Sequence, residues 1–184
     1  CIVDSHASHA DLTDEYASVA DEMFAVAAQF GKEVLREVPE IEFMSALPKI
    51  REMKGDRAAL RALHFYADDK RAAAEADALA RGDCEAFLDL VNEAGISSAL
   101  YLQNVVPCGC IIDQSLMITL AVASKILGGR GAVRVPGGGF GGTAQAYVPL
   151  DLVDQFKEDM EKVLGEGSCH ILKIRPVGGV KVEI

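Results

Sequence analysis

Gly129-Arg130-Gly131-Ala132-Val133-Arg134-Val135-Pro136-Gly137-Gly138-Gly139-Phe140-Gly141-Gly142 is the stretch that organises the rest of the sequence. Five of the six residues from Gly137 to Gly142 are glycine, more than a hairpin turn requires. Glycine admits positive φ and lets backbone N–H groups approach another chain or an anion with no Cβ in the way. On both sides lie short β-like runs, Ala132–Val135 and Thr143–Val148. Spacing alone leaves two readings of the loop open, a tight turn packed beneath a neighbour or a binding wall, because glycine patterns by themselves are weak signals.

Working outward, the hydrophobic period changes at this loop. Downstream, Leu150–Leu164 has the spacing of an amphipathic helix, and Cys169–Ile174 and Val180–Ile184 read as strands. Upstream, the sequence is alanine-rich and helical in pattern. Thr13 followed by Asp14 and Glu15 predicts a capped helix start. Tyr16, Val19, Ala20, Met23, Phe24, Ala27 and Phe30 form one apolar stripe, closed by Gly31. Further helices are predicted from Glu42 to about Met53, where Pro48 limits the span, from Asp56 to Ala80, and from Cys84 past Gly95 towards Asn104. Another runs from Ser115 to Leu127, stopped by Gly128-Gly129. The order strand, strand, helix, strand, strand predicts an α+β fold: a four-stranded antiparallel, ferredoxin-like sheet backed by helices; Ile2-Val3 is also strand-like. A mainly helical insertion is expected over 32–127 and the sheet-forming part over 130–184.

The chain of 184 residues is long enough to bury roughly two-thirds of its unfolded surface. Its 18 basic and 28 acidic residues leave a net charge of −10, which argues against nucleic acid or an anionic membrane as partner. No apolar run approaches a bilayer span and no signal-peptide pattern opens the chain, so a cytoplasmic protein is expected. Five cysteines form no disulfide framework and are expected as thiols. Neither Cys108-Gly109-Cys110 nor His6 and His9 near Asp4 has a metal-ligand spacing, and no metal site is expected. Cys1, with no initiator Met, suggests a piece of a longer protein.

The stretch from Gly129 to Gly142 resembles the third conserved motif of the galactokinase, homoserine, mevalonate and phosphomevalonate kinase superfamily, most closely its galactokinase version, down to the strand ending at Ala146-Tyr147-Val148-Pro149. Two further segments are similar to galactokinases. Val3-Asp4-Ser5-His6 through Asp14-Glu15-Tyr16 resembles a strand ending in histidine that enters a helix through an acidic-tyrosine pair. Arg61-Ala62-Leu63-His64-Phe65 resembles a central helix. The sequence departs from the family over Ser97–Asn104, at Asp113-Gln114, and at Pro136 and Thr143.

The resemblance implies the C-terminal domain of an ATP-dependent kinase that phosphorylates galactose or a related sugar at its anomeric hydroxyl. Tyr16 is then the implied substrate contact, and Gly137, Gly138, Gly139, Phe140, Gly141 and Gly142 form the implied loop near sugar and phosphate. The phosphate-cradling loop, the catalytic aspartate and its neighbouring arginine have no counterpart here. The resemblance assigns them, with most of the contacts to ATP and Mg²⁺, to an N-terminal domain outside this sequence, so the chain alone is expected to be inactive. His64 reads as a satisfied interhelical histidine, and Arg134 as a structural residue before a substrate contact. Alternatives are a non-catalytic sugar-sensing relative, another small-molecule kinase of the superfamily, and a free-standing α+β binding domain.

Overall fold

The computed structural model describes residues 1–7 and 12–181. The chain enters through strand β1 (Ile2–Asp4) and then builds five helices, α1 (Thr13–Ala27), α2 (Glu40–Lys54), α3 (Asp56–Ala80), α4 (Cys84–Ser97) and α5 (Ser115–Leu127). It ends with β2 (Ala132–Arg134), β3 (Thr143–Tyr147), α6 (Val153–Leu164) and β4 (Cys169–His170). The sheet order is β2-β3-β1-β4 with every neighbouring pair antiparallel. That is a split β-α-β-β-α-β arrangement whose first crossover carries all the helices from α1 to α5.

Apolar residues sort into two cores. Val3, Ala144 and Ala146 from the sheet pack with Leu116, Ala123 and Leu127 of α5 and with Phe156 and Met160 of α6. The second core joins α1, α2 and α3 through Val26, Ala27, Phe43, Ile50, Ala59 and Ala62. Tyr66 closes it, its hydroxyl donating to the Val38 carbonyl at 3.0 Å.

Helix ends follow local chemistry in most places. Gly31 (φ +67°) and Gly128 (φ +56°) stop α1's terminal 3₁₀ turn and α5 in the left-handed conformation that favours glycine. Asp83 caps α4 by accepting from the Ala86 amide at 3.1 Å. Thr13 makes no such cap, because it is itself the first helical residue and Leu12 occupies the capping position. α2 starts at Glu40 and runs through Pro48, so the proline does not bound it. Past Gly95, α4 gives way to a π-helical turn over Ser98–Leu102, ended by Gln103 at φ +56°. α6 begins at Val153, three residues later than the pattern of Leu150 suggests.

The C-terminal strands differ most from expectation. Cys169–Ile174 reduces to Cys169–His170, which pair with Val3 and Ile2 of β1. Val180 and Lys181 lie outside any strand, and 182–184 lie outside the described residues. The fourth strand of the sheet is instead β1, threaded between β3 and β4.

The outer edge of β2 is covered by α4. Asn92 acts as a short stand-in for a neighbouring strand: its Nδ2 donates to the Gly131 carbonyl at 3.0 Å, and its Oδ1 accepts from the Val133 amide at 3.1 Å. One turn on, Gly95 lets the helix touch the strand, since a Cβ there would stand 2.8 Å from the Val133 carbonyl oxygen. Alanine in a helix interior ordinarily stabilises. Here Gly95→Ala is expected to destabilise by about 1–3 kcal/mol, because α4 must move off β2; urea denaturation midpoints check the sign.

Candidate functional site

The glycine loop joins β2 to β3 along a path of positive φ at Gly137 (+57°), Gly139 (+76°), Phe140 (+55°) and Gly142 (+79°). Phe140 is not a residue that enters this region freely. It is held there by its amide, which donates to the Asn104 carbonyl, and by its ring, buried edge-on against Tyr16 with centroids 5.5 Å apart. The far end of the loop is tied to the end of β1, where the Ser5 amide and hydroxyl both donate to the Gly142 carbonyl at 2.7 and 2.8 Å.

Tyr16 sits in the first turn of α1, and its hydroxyl donates to the Gly139 carbonyl at 2.9 Å across 123 residues of sequence. Its ring fills the space above Gly138, where a Cβ would lie 2.9 Å from a ring carbon. Asn104 holds the neighbouring carbonyl, its Nδ2 donating to Gly138 at 3.2 Å. At Gly139 a Cβ would collide with the Asn104 carbonyl oxygen at 2.1 Å, so this glycine is required for close approach as well as for φ. Two consecutive carbonyls of the loop are thus fixed from two different helical segments.

Behind Tyr16 lies a polar network. The Arg61 guanidinium, with only 1% of its side chain exposed, donates to Ser18 Oγ at 3.0 Å and to the Leu102 carbonyl at 3.1 Å, and pairs with Glu22 at 2.9 Å. Desolvation lowers its pKa, with the Glu22 charge opposing. Arg57 donates to the other Glu22 oxygen at 2.8 Å, and that bond raises its pKa. Glu15 accepts from the Cys108 amide at 2.8 Å, which ties the loop before α5 to the start of α1.

No protein-family model matches the chain. The galactokinase of Mannheimia succiniciproducens is 28% identical to it over 157 residues, which is 85% of this chain and 39% of that protein. Among solved structures, Lactococcus lactis galactokinase complexed with galactose has a TM-score of 0.67 to it at 23% identity, covering 90% of this chain and 41% of that one. The chain is galactokinase-like in sequence and in fold. Both likenesses support a C-terminal galactokinase-like domain. The chain spans about two-fifths of the length of each relative.

In this galactokinase-like domain, Tyr16 and Gly137–Gly142, singled out separately in the sequence, meet in space. Arg134 stays apart, its Nε donating to the Val135 carbonyl at 3.3 Å. His6 Nε2 donates to the Leu164 carbonyl at 2.9 Å, and His9 lies outside the described residues. Among the described residues no group of three His, Cys, Asp or Glu is placed to hold a metal, and no helix is long and apolar enough to cross a membrane. All five cysteines are free thiols. Asn104 escaped the sequence reading. The available signal was an amide pair, Gln103-Asn104, set between the apolar Leu102 and Val105-Val106, a place where side chains are usually buried.

His64, on the α3 face towards α4, is buried with Nδ1 2.9 Å from Ser97 Oγ and Nε2 3.7 Å from Asp68. Desolvation lowers its pKa from the ordinary 6.5; Asp68 opposes that, while Arg71 and Arg134 add to it. A histidine kept neutral by the fold leaves stability untouched above about pH 6.5. Below that value the unfolded chain binds the proton first, and stability is lost as pH falls towards the lower folded value. Unfolding free energies measured from pH 7.5 to 5.5 are expected to decline in wild type, with a shallower decline in His64→Gln.

Proposed function

We propose that the chain is the C-terminal domain of an ATP-dependent sugar kinase acting on the anomeric hydroxyl of galactose or a related sugar. The observation that carries this is the hydrogen bond from Tyr16 to Gly139, which draws the two galactokinase-like segments into one site. A phenol oxygen that donates its proton to the loop can still accept one from a sugar hydroxyl. The loop then serves as a wall beside sugar and γ-phosphate, with Gly138 exposed and Gly139 buried behind it against Asn104.

Phosphoryl transfer depends on alignment and on stabilising developing charge. In the proposed reaction the anomeric oxygen forms a bond to the γ-phosphorus, the bond to the ADP oxygen breaks, and the hydroxyl proton passes to a base. This chain's residues contribute alignment only. The glycine loop leads into a strand, so it offers no helix N-terminus to cradle phosphates, and the described residues hold no metal-binding cluster. On this reading ATP, Mg²⁺, the base and a charge-stabilising arginine are supplied chiefly by an N-terminal domain, and the protein works in the cytoplasm.

Two outcomes are expected. In the full-length protein, Tyr16→Phe raises the KM for galactose roughly fivefold, the loss of a hydrogen bond worth about 1 kcal/mol. Unchanged sugar kinetics would remove Tyr16 from the site. The 184-residue chain by itself releases no ADP when given ATP, Mg²⁺ and galactose; turnover in a coupled assay would place the catalytic groups within it.

A further inference from the structure

We propose that Asn104 is a positioning residue of this site, fixing the glycine loop in the one shape that sugar and phosphate can meet; the inference rests on the kinase reading above. Asn104 follows the π-helical turn and the left-handed Gln103, which aim it away from its own helix and under the loop. From there its backbone carbonyl accepts from the Phe140 amide while its side-chain Nδ2 donates to Gly138. One residue therefore grips both sides of Gly139, and Tyr16 grips Gly139 itself.

The energetics of the side chain argue against a packing role. Asn104 is 1% exposed, and its Oδ1 is buried with no hydrogen-bonding partner among the described residues. A buried acceptor without a partner costs stability, whereas an apolar side chain of the same size would not. Rotating the amide by 180° does not help, because it would face Oδ1 against the Gly138 carbonyl. The carbonyl of Gly138 belongs to an exposed residue and could be satisfied by water if the amide were gone. The fold thus gains little from the Nδ2 bond and loses something by burying Oδ1. What the amide does secure is the direction of the Gly138 carbonyl, next to the one Tyr16 secures. Residues that trade stability for a fixed geometry are characteristic of sites.

The experiment uses the full-length protein with Asn104→Leu and Asn104→Asp. Asn104→Leu is expected to keep or raise the thermal midpoint while raising the galactose KM about tenfold, with faster hydrogen exchange confined to 137–142. Asn104→Asp keeps the shape but replaces the donor with an acceptor, so it is expected to show the same defect at pH 8. Towards pH 5 the buried carboxyl protonates and can donate to Gly138, and the KM defect relative to wild type is expected to shrink. A wild-type KM in Asn104→Leu, or a rise that accompanies a lowered midpoint and exchange quickened throughout the chain, overturns the proposal. So does an Asn104→Asp defect that is independent of pH. If Asn104→Leu does not fold, the Asp variant's pH profile decides. If the unmodified protein phosphorylates no sugar, the kinase reading fails, and exchange decides Asn104 by itself: quickening confined to 137–142 supports the grip, and unchanged exchange overturns it.

Discussion

The buried guanidinium of Arg61 sets the geometry on which the site depends. A cation removed from water must be met by fixed acceptors, and Arg61 finds them on two separate segments: Ser18 and Glu22 on α1, and the Leu102 carbonyl at the end of the π-helical turn. Its planar fork fixes direction as well as distance. Through it, α3 holds α1 and the 98–104 segment in one relative position. Tyr16 stands half a turn before Ser18, and Asn104 stands two residues after Leu102. Two of the glycine loop's partners, Tyr16 and Asn104, are therefore located by the same cation.

The loop is built to be held in this way. Between the carbonyls of Gly138 and Gly139, each gripped by a side chain, there is room for hydrogen only. The strain of Phe140 at φ +55° is offset by its buried ring and its bond to Asn104. The two cores of the molecule also come together here. α1 begins at the loop and ends in the helical core at Val26 and Ala27, while Val135 and Ala144 anchor the strands on either side of the loop in the sheet core. A shift of the helical layer against the sheet would be felt first at this contact.

Much of the architecture was legible in local sequence. α5 has the predicted limits, because Gly128 supplies a stop that other residues adopt at a cost. The stripe of α1 was legible in part: Ala27 is buried as read, but Val26, outside the stripe, is buried too while Phe24 is 49% exposed, so the packed face is turned from the one the count implies. The loop was legible as glycine-rich yet ambiguous in role, and only the closure of Tyr16 onto Gly139 decides what it packs against. The end of the sheet was not legible. Apolar Cys169–Ile174 looks like a long strand, but strand length is set by the partner, and β1 supplies two paired positions. Asn104 was hidden for a related reason: nothing within ten residues of it explains a buried amide.

On the kinase reading, an acidic chain meets an anionic substrate. A net charge of −10 would repel a nucleoside triphosphate if spread evenly. Around Tyr16 acids and bases are paired: Glu22 is shared by Arg57 and Arg61, and Glu15 is a nearby carboxylate engaged by the Cys108 amide. Two acids and two arginines cancel within the network, and the loop itself contributes no ionisable side chain. Further acid lies on α1 itself, at Asp14 and Asp21, and on faces such as Asp154, Glu158 and Asp159 of α6. At an ionic strength of 0.15 M those charges are screened within about 8 Å. On the kinase reading, the loop itself offers a phosphate no side-chain cation. Attraction on that reading is the part of the proposed ATP-binding domain.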